Sequence, residues 1–142
     1  MSENTLIEGA CHCGNIQYHY TINKPLDALS FRYCNCSFCS RYVPIYTSDP
    51  DGHLSVSILN PDKISHYQFD TKVVRFLFCA NCGNMPLAEF SNDNKKYAVL
   101  NIRTSSLDLT HLDIKQLSLS NETILNGQQR RIANWISNID GL

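Results

Sequence analysis

The sequence carries little net charge and contains no long apolar run, and each absence excludes a class of protein. The formal net charge is -1 and the pI is about 6.5, so the chain offers no polybasic field to a nucleic-acid backbone or an anionic lipid surface. No stretch approaches the roughly 18 consecutive apolar residues of a membrane-spanning helix. Residues 1–6 lack the basic and apolar regions of a signal peptide. We therefore expect a cytoplasmic protein that binds neither nucleic acid nor a membrane.

The sequence also lacks internal repeats, low-complexity tracts and linker-like segments. Its 43% hydrophobic and 18% charged residues are typical of a globular chain, and exclude one that stays disordered for want of a core. A length of 142 residues suffices for one such core and is short for two. The sequence therefore predicts a single domain over residues 1–142.

Most of the chain has the pattern of β-strands, in which apolar and polar residues alternate. Ile16, Tyr18 and Tyr20, for example, would share one face of a strand. Strands are predicted over residues 14–20, 28–33, 43–47, 53–60, 72–78, 85–90 and 97–102. The last two would form a hairpin with a loose loop over residues 91–96, and the fold would be mainly β.

One segment near the C-terminus has helical periodicity instead. Within residues 128–139 the apolar side chains follow the i, i+3, i+4, i+7 spacing of one helix face. These side chains are Ile132, Trp135, Ile136 and Ile139. We predict a short C-terminal helix whose apolar stripe packs on the domain or on a second copy of the chain, so a homodimer is one arrangement that the pattern allows.

All seven cysteines fall in three short clusters. The clusters are Cys11-His12-Cys13, Cys34-Asn35-Cys36-Ser37-Phe38-Cys39 and Cys79-Ala80-Asn81-Cys82-Gly83. Disulfides rarely persist in a reducing compartment, and an odd number of cysteines leaves one unpaired, whereas closely spaced thiolates readily hold a metal ion. Seven divides naturally into four and three. This division favours two metal sites, with zinc as the first choice of ion.

The first and third clusters together provide the four thiolates of a closed structural zinc site. A glycine directly follows each pair of cysteines, and glycine permits the tight backbone turn of a zinc knuckle. The expected ligands are Cys11, Cys13, Cys79 and Cys82. Such a site would tie the start of the chain to residue 82.

The middle cluster offers three thiolates, from Cys34, Cys36 and Cys39, and no fourth cysteine remains. Three protein ligands and one open position are the arrangement of catalytic zinc, and a thiolate-rich site suits a sulfur ligand. Two other interpretations stay open: a structural site closed by an imidazole, or redox-active thiols without metal. The histidines available for closure are His12, His19, His53, His66 and His111. We expect two zinc ions per chain, with the second site open to partial occupancy.

Three segments carry these cysteines in a characteristic order and spacing. They are Gly9-Ala-Cys-His-Cys-Gly-Asn-Ile-Gln-Tyr18, Cys34-Asn-Cys-Ser-Phe-Cys39 and Phe78-Cys-Ala-Asn-Cys-Gly83. Over roughly residues 8–102 the chain resembles the glutathione-dependent formaldehyde-activating enzyme family, which also includes centromere protein V. The resemblance implies a zinc-stabilised β-tent built from antiparallel sheets, with a structural zinc and a second zinc at the middle loop.

The resemblance also implies an activity, that of a carbon-sulfur lyase in which glutathione and formaldehyde combine reversibly to S-hydroxymethylglutathione. The site residues would be Cys34, Cys36, Cys39 and Arg41 in catalysis, and Arg41 and Tyr42 in glutathione binding. Glutathione carries two carboxylates, so its site needs a cation, for which Arg32 and Arg75 are further candidates. The expected partners are a small-molecule thiol and a small aldehyde.

A non-catalytic, zinc-stabilised protein-interaction module is the alternative function, with the C-terminal helix as its contact surface. Two zinc ions per chain, the second responding to glutathione, would favour the enzyme. One zinc, or a second site closed by histidine, would favour the module. Nucleic-acid binding through zinc knuckles is disfavoured because no basic run interleaves the clusters.

Overall fold

The computed structural model describes residues 4–69, 73–117 and 122–142, and within these ranges the protein is mainly β. The strands are β1 (Thr5–Ala10), β2 (Ile16–Ile22), β3 (Phe31–Cys34), β4 (Tyr46–Thr47), β5 (His53–Ile58), β6 (Ile64–Tyr67), β7 (Val74–Cys79), β8 (Leu87–Asn92), β9 (Lys95–Asn101), β10 (Ile114–Leu117) and β11 (Asn138–Asp140). The helices are α1 (Ser37–Tyr42) and α2 (Ile124–Asn134), with short 3-10 turns over Leu26–Ala28, Pro61–Lys63, Ile102–Thr104 and Leu109–His111. Across the described segments no helix has the length and apolar character that spanning a membrane requires.

The strands form a four-stranded sheet and a seven-stranded sheet. The smaller sheet has the order β1-β2-β5-β11, and the larger has the order β10-β3-β4-β9-β8-β7-β6. Pairing is antiparallel except at one edge of each sheet, where β10 lies parallel to β3 and β11 lies parallel to β5. The prediction of a mainly β fold with antiparallel sheets is confirmed, and the two parallel edge pairings are an addition to it.

Every strand predicted from the sequence is present with shifted ends, although residue 72 of one prediction lies outside the described residues. The β8–β9 hairpin is tighter than the predicted loose loop, because strand pairing continues to Asn92 and Lys95. The two residues between them, Asp93 and Asn94, both have positive φ, at 51° and 64°. Positive φ at both positions is what a two-residue type I′ turn requires.

The central strands of the larger sheet, β8 and β9, are buried on both faces. On one face Leu87 and Leu100 pack with side chains of the smaller sheet, such as Tyr20. On the other face Phe90 packs with Trp135, which follows α2, in a second core that also includes residues of α1. Strand β8 is consequently buried at four successive residues rather than at alternate ones, as expected of a strand covered on both sides.

The C-terminal helix is present, but it covers Ile124–Asn134 and not residues 128–139. It begins at Thr123, whose side chain accepts a hydrogen bond from the Asn126 N–H at 3.1 Å. After the helix, Ile136 exchanges two backbone hydrogen bonds of 2.9 Å with Ala98 of β9. The chain then continues into β11, which includes Ile139. The predicted boundary was wrong because strand pairing, rather than a continued helix, satisfies the backbone after residue 134.

Candidate metal centres and adjoining cavity

The first cysteine group lies where two backbone knuckles meet at one end of the sheets. Cys11 and Cys13 lie in the turn between β1 and β2, and Cys79 ends β7. The glycines after the two pairs, Gly14 and Gly83, have φ of +84° and +82°. This is the left-handed region that glycine enters without steric cost, so both knuckles depend on it.

The sulfur positions in this group fit a tetrahedral zinc ion. A zinc–sulfur distance of about 2.3 Å places neighbouring ligand sulfurs about 3.8 Å apart. Cys13 Sγ lies 3.7 Å from Cys11 Sγ and 3.5 Å from Cys79 Sγ. All four sulfurs, those of Cys11, Cys13, Cys79 and Cys82, lie within 4.8 Å of one another. The group that the sequence predicted as a structural site is therefore assembled and could hold zinc.

Backbone groups support the first centre. The Ile16 N–H donates to Cys11 Sγ at 3.2 Å, and the His12 N–H donates to the Asn84 side chain at 2.7 Å, which links the two knuckles. Burial raises the pKa of Cys11 to about 11, whereas hydrogen bonds, first from the Asn81 side chain, lower the pKa of Cys13 to about 6. The Cys11 and Cys13 thiols thus differ in acidity, and a bound cation would favour the ionised form of both.

The second cysteine group surrounds the start of α1. Cys34 ends β3, Cys36 is the N-cap residue of α1, and Cys39 lies buried within that helix. The Cys36 N–H donates to Cys34 Sγ and the Cys39 N–H donates to Cys36 Sγ, each at 3.4 Å. The three sulfurs lie within 4.8 Å of one another. The triad predicted from the sequence is therefore also assembled, and its soft donors could hold zinc.

The triad has no fourth protein ligand among the residues that the structure describes. None of the five histidines joins it: His53, for example, pairs with Asp140 at 2.7 Å, and His66 lies 4.0 Å from Glu89. The interpretation of a site closed by an imidazole is therefore not what this structure forms. The Tyr46 hydroxyl lies 3.6 Å from Cys39 Sγ and is the neighbouring polar group from the larger sheet.

Proton sharing within the triad is uneven. A hydrogen bond from Cys39 lowers the pKa of Cys34 to about 6, and the Arg130 cation adds to the effect. The same contact, together with burial, raises the pKa of Cys39 well above its usual range. Cys34 therefore ionises before Cys39 when no cation is bound.

The triad forms part of the wall of a cavity of about 670 Å³. Residues of the larger sheet provide the floor, and residues of α2 and the segment before it line the other side. The lining includes Arg32, Tyr46, Phe69, Val73, Val74, Phe76, Ala88, Val99, Glu122, Arg130, Arg131 and Trp135. A small molecule bound here would contact the three thiolates directly.

Three arginines give one part of the cavity positive character. Arg130 makes two hydrogen bonds to the Glu122 carboxylate, at 2.7 and 3.1 Å. Arg32 is held by Ser48, and burial together with the Arg130 charge lowers the pKa of Arg32 to about 10. Arg131 lies over the ring of Trp135, 5.9 Å from its centroid, and within the described segments its buried Nε has no hydrogen-bond partner. Three guanidinium groups against one carboxylate favour an anionic ligand.

Arg41 and Tyr42, predicted as glutathione-binding residues, do not line this cavity. Arg41 is exposed and donates to the Ser37 carbonyl at 2.6 Å, because one helical turn separates the two residues in α1. The Tyr42 hydroxyl donates to the Gly83 carbonyl at 3.0 Å, and its ring packs on Phe38. Of the predicted cations, Arg32 lies in the cavity, whereas Arg75 pairs with Glu89 elsewhere.

Sequence reasoning missed the residues that α2 contributes. Arg130, Arg131 and Trp135 are more than 90 positions from the triad in the chain, and the helical pattern alone does not indicate which polar residues face a cavity. The one sequence signal is that Glu122 lies eight and nine residues before Arg130 and Arg131, so that these side chains could form ion pairs.

Together these features define a β protein with two cysteine groups that could each hold a metal ion, one of four cysteines and one of three that adjoins a cationic cavity. The family model described as glutathione-dependent formaldehyde-activating enzyme matches residues 6–117. The chain therefore belongs to that family, and the resemblance noted in its three cysteine segments is confirmed.

One solved structure has the same overall fold. It is the crystal structure of a protein from Rhodobacter sphaeroides, which superposes with a TM-score of 0.56 at 22% sequence identity. The match covers 78% of this chain and 99% of that one. No curated protein sequence matches the chain.

Proposed function

We propose that the protein is a zinc-dependent carbon-sulfur lyase that reversibly adds a thiol, glutathione in the first instance, to a small aldehyde. One observation supports this proposal above the others. The cysteine triad has three soft ligands, no fourth ligand from the described residues, and a cavity rich in arginine at its open side. A purely structural zinc site has four protein ligands and no reason to adjoin such a cavity.

The triad supplies the metal chemistry that the reaction needs. A zinc ion held by Cys34, Cys36 and Cys39 would keep one position for the sulfur of a thiol or the oxygen of an aldehyde and would polarise whichever it received. The described backbone N–H groups that bond to Cys34 and Cys36 fix the directions of these ligands. The chain's own contribution is then to bring the two reactants together.

The arginines would bind the carboxylates of glutathione. Arg32 and Arg130 lie at the same end of the cavity as Cys34. Arg32 belongs to β3, whose last residue is Cys34. Arg130 is close enough for its charge to lower the pKa of Cys34. A tripeptide held there by its carboxylates would have its thiol near the triad. Arg41 of α1 is then not needed to bind it. Fixing two reactants in this way converts a bimolecular step into an effectively unimolecular one.

The proposed addition is balanced without an oxidant or reductant. The thiol loses its proton to solvent, and the sulfur lone pair forms a bond to the carbonyl carbon. The electron pair of the C=O bond moves to oxygen, which takes a proton from water. Reversal breaks the same C–S bond and returns the thiol and the aldehyde.

The proposal is tested by metal content and by the response of the second centre to glutathione. We expect two zinc ions per chain. After cobalt replaces zinc at the triad, glutathione should change the visible absorption of the cobalt ion, because a fourth sulfur enters its coordination. One metal ion per chain, or a spectrum that glutathione leaves unchanged, would contradict the enzyme and favour the protein-interaction module.

The arginine assignment gives a prediction with a matched control. Arg130→Gln should weaken glutathione binding at least about tenfold, because one charge-assisted contact contributes about 1.5–3 kcal/mol. Arg41→Gln should change binding by less than about twofold, because Arg41 lies outside the cavity. Isothermal titration of each zinc-loaded variant measures both affinities. If Arg41→Gln had the larger effect, the cation predicted from the sequence would be the right one.

A further inference from the structure

The cavity beside the triad is far larger than formaldehyde requires. Its volume is about 670 Å³, whereas formaldehyde has two non-hydrogen atoms and occupies on the order of two water volumes of ~30 Å³ each. Glutathione accounts for the end that contains arginine and glutamate. The remainder of the cavity has room for a further group, and the side chains that line it indicate which chemistry that group would have.

Polarity changes in order across the floor of the cavity. The floor residues lie on five adjacent strands, and from β3 to β7 they are Arg32, Tyr46, Val99, Ala88 and Phe76. Arg32 pairs directly with Tyr46, and Ala88 pairs with both Val99 and Phe76. Four steps of about 4.8 Å between strands separate the two ends by roughly 19 Å. A ligand with a charged part and an apolar part fits this order.

The residues that the structure describes cover the apolar end only in part. Phe69, Val73 and Val74 line it, and although they pack against the second core each side chain is only partly buried. The Phe69 ring is stacked on Phe76, with 5.7 Å between centroids and 17° between planes. Apolar surface left in contact with water is unfavourable in proportion to its area. A flat apolar group that entered this end would remove that contact.

We propose that the aldehyde used at this site carries an aromatic substituent, which lies against Val99, Ala88 and Phe76 while the thiol's carboxylates lie at the arginine end. This inference rests on the proposed function, since it uses the same triad and the same thiol. The reaction is the balanced addition described above, with an aryl group in place of one hydrogen of formaldehyde. Formaldehyde itself offers nothing for the apolar wall to bind.

Stable thioethers of glutathione test the inference by binding alone. S-benzylglutathione and S-methylglutathione share the tripeptide and differ only in the group on sulfur. Calorimetric titration of the zinc-loaded protein should give at least tenfold tighter binding for the benzyl compound. Equal affinities would overturn the aromatic substituent and leave the thiol proposal standing. Failure of both compounds, and of glutathione itself, to bind would overturn the proposed function as well.

Two variants in the same aromatic cluster show whether the preference arises in this cavity. Phe69→Ala removes a ring that lines the apolar end, and should reduce the preference for the benzyl compound about fivefold or more. Tyr67→Ala removes a neighbouring ring that stacks on Phe69 and does not line the cavity, and should leave the preference unchanged. Equal effects of the two substitutions would overturn the assignment. A second cavity variant, Val74→Ala, provides the same comparison if Phe69→Ala does not fold.

Discussion

A Cys79→Ser variant is expected to lose its folded structure rather than merely some stability. Cys79 is fully buried at the end of β7, and its sulfur lies 3.5 Å from that of Cys13 in the other knuckle. Structural zinc sites of four thiolates contribute about 10–16 kcal/mol at neutral pH. That contribution is comparable with the whole stability of a typical domain, about 5–15 kcal/mol. A zinc ion held at this centre would therefore decide whether the two sheets stay together.

The measurement is thermal unfolding followed by circular dichroism, together with metal analysis. Wild-type protein should unfold cooperatively and carry metal at the first centre, whereas Cys79→Ser should show no cooperative transition and little bound zinc. A chelator added to wild-type protein should reproduce the variant. A Cys79→Ser protein that melted cooperatively near the wild-type temperature would show that the four thiolates do not sustain the fold.

A cysteine-to-serine substitution at the second centre, Cys36→Ser, should leave the fold intact and remove most of the catalytic activity. Cys36 is the N-cap residue of α1, where its side chain accepts the Cys39 N–H. Serine is among the preferred N-cap residues, so Cys36→Ser keeps the helix start while it removes a soft ligand from the triad. We expect zinc content to fall from two ions per chain to one. The unfolding temperature should shift by less than about 5 °C, the effect of about 1 kcal/mol on a domain of this size.

The expected loss of activity is on the order of 100-fold or more, because polarisation by the metal ion is worth several kcal/mol of barrier. Exchange between glutathione and its aldehyde adduct, followed by NMR at equilibrium, measures the rate in both directions. The uncatalysed exchange, recorded without protein, provides the baseline. A Cys36→Ser protein that exchanged at the wild-type rate would remove the triad from the mechanism.

The cysteine sites could be predicted from the sequence because their signals are local. Pairs such as Cys79 and Cys82, each followed by a glycine, specify a knuckle almost independently of the surrounding fold. Division of the cysteines into four and three followed from counting alone, and both groups are assembled as expected. The strands in the middle of the chain could also be predicted, because the alternation of apolar and polar side chains along a strand is a local property as well.

The elements that the sequence did not reveal depend on distant contacts. β11 is three residues long and forms because it pairs with β5, and β10 pairs with β3 in the same parallel manner. The helix α1 is too short to give a periodic pattern, and its position turns Arg41 outward. The arginines of α2 meet the triad only through packing. Local patterns therefore predicted the three cysteines that come together at the second group, and Arg32 beside them, but not the cavity residues of α2.

The first metal centre also constrains the order in which the chain can mature. Cys13 and Cys79 are 66 residues apart, so at 5–20 residues per second a ribosome needs roughly 3–13 s to deliver the second knuckle after the first. Throughout that interval Cys11 and Cys13 provide only two of the four ligands, and their thiols are exposed to oxidants and to competing metals. Supply of zinc during synthesis, and not only its concentration afterwards, should therefore govern how much protein is recovered in active form.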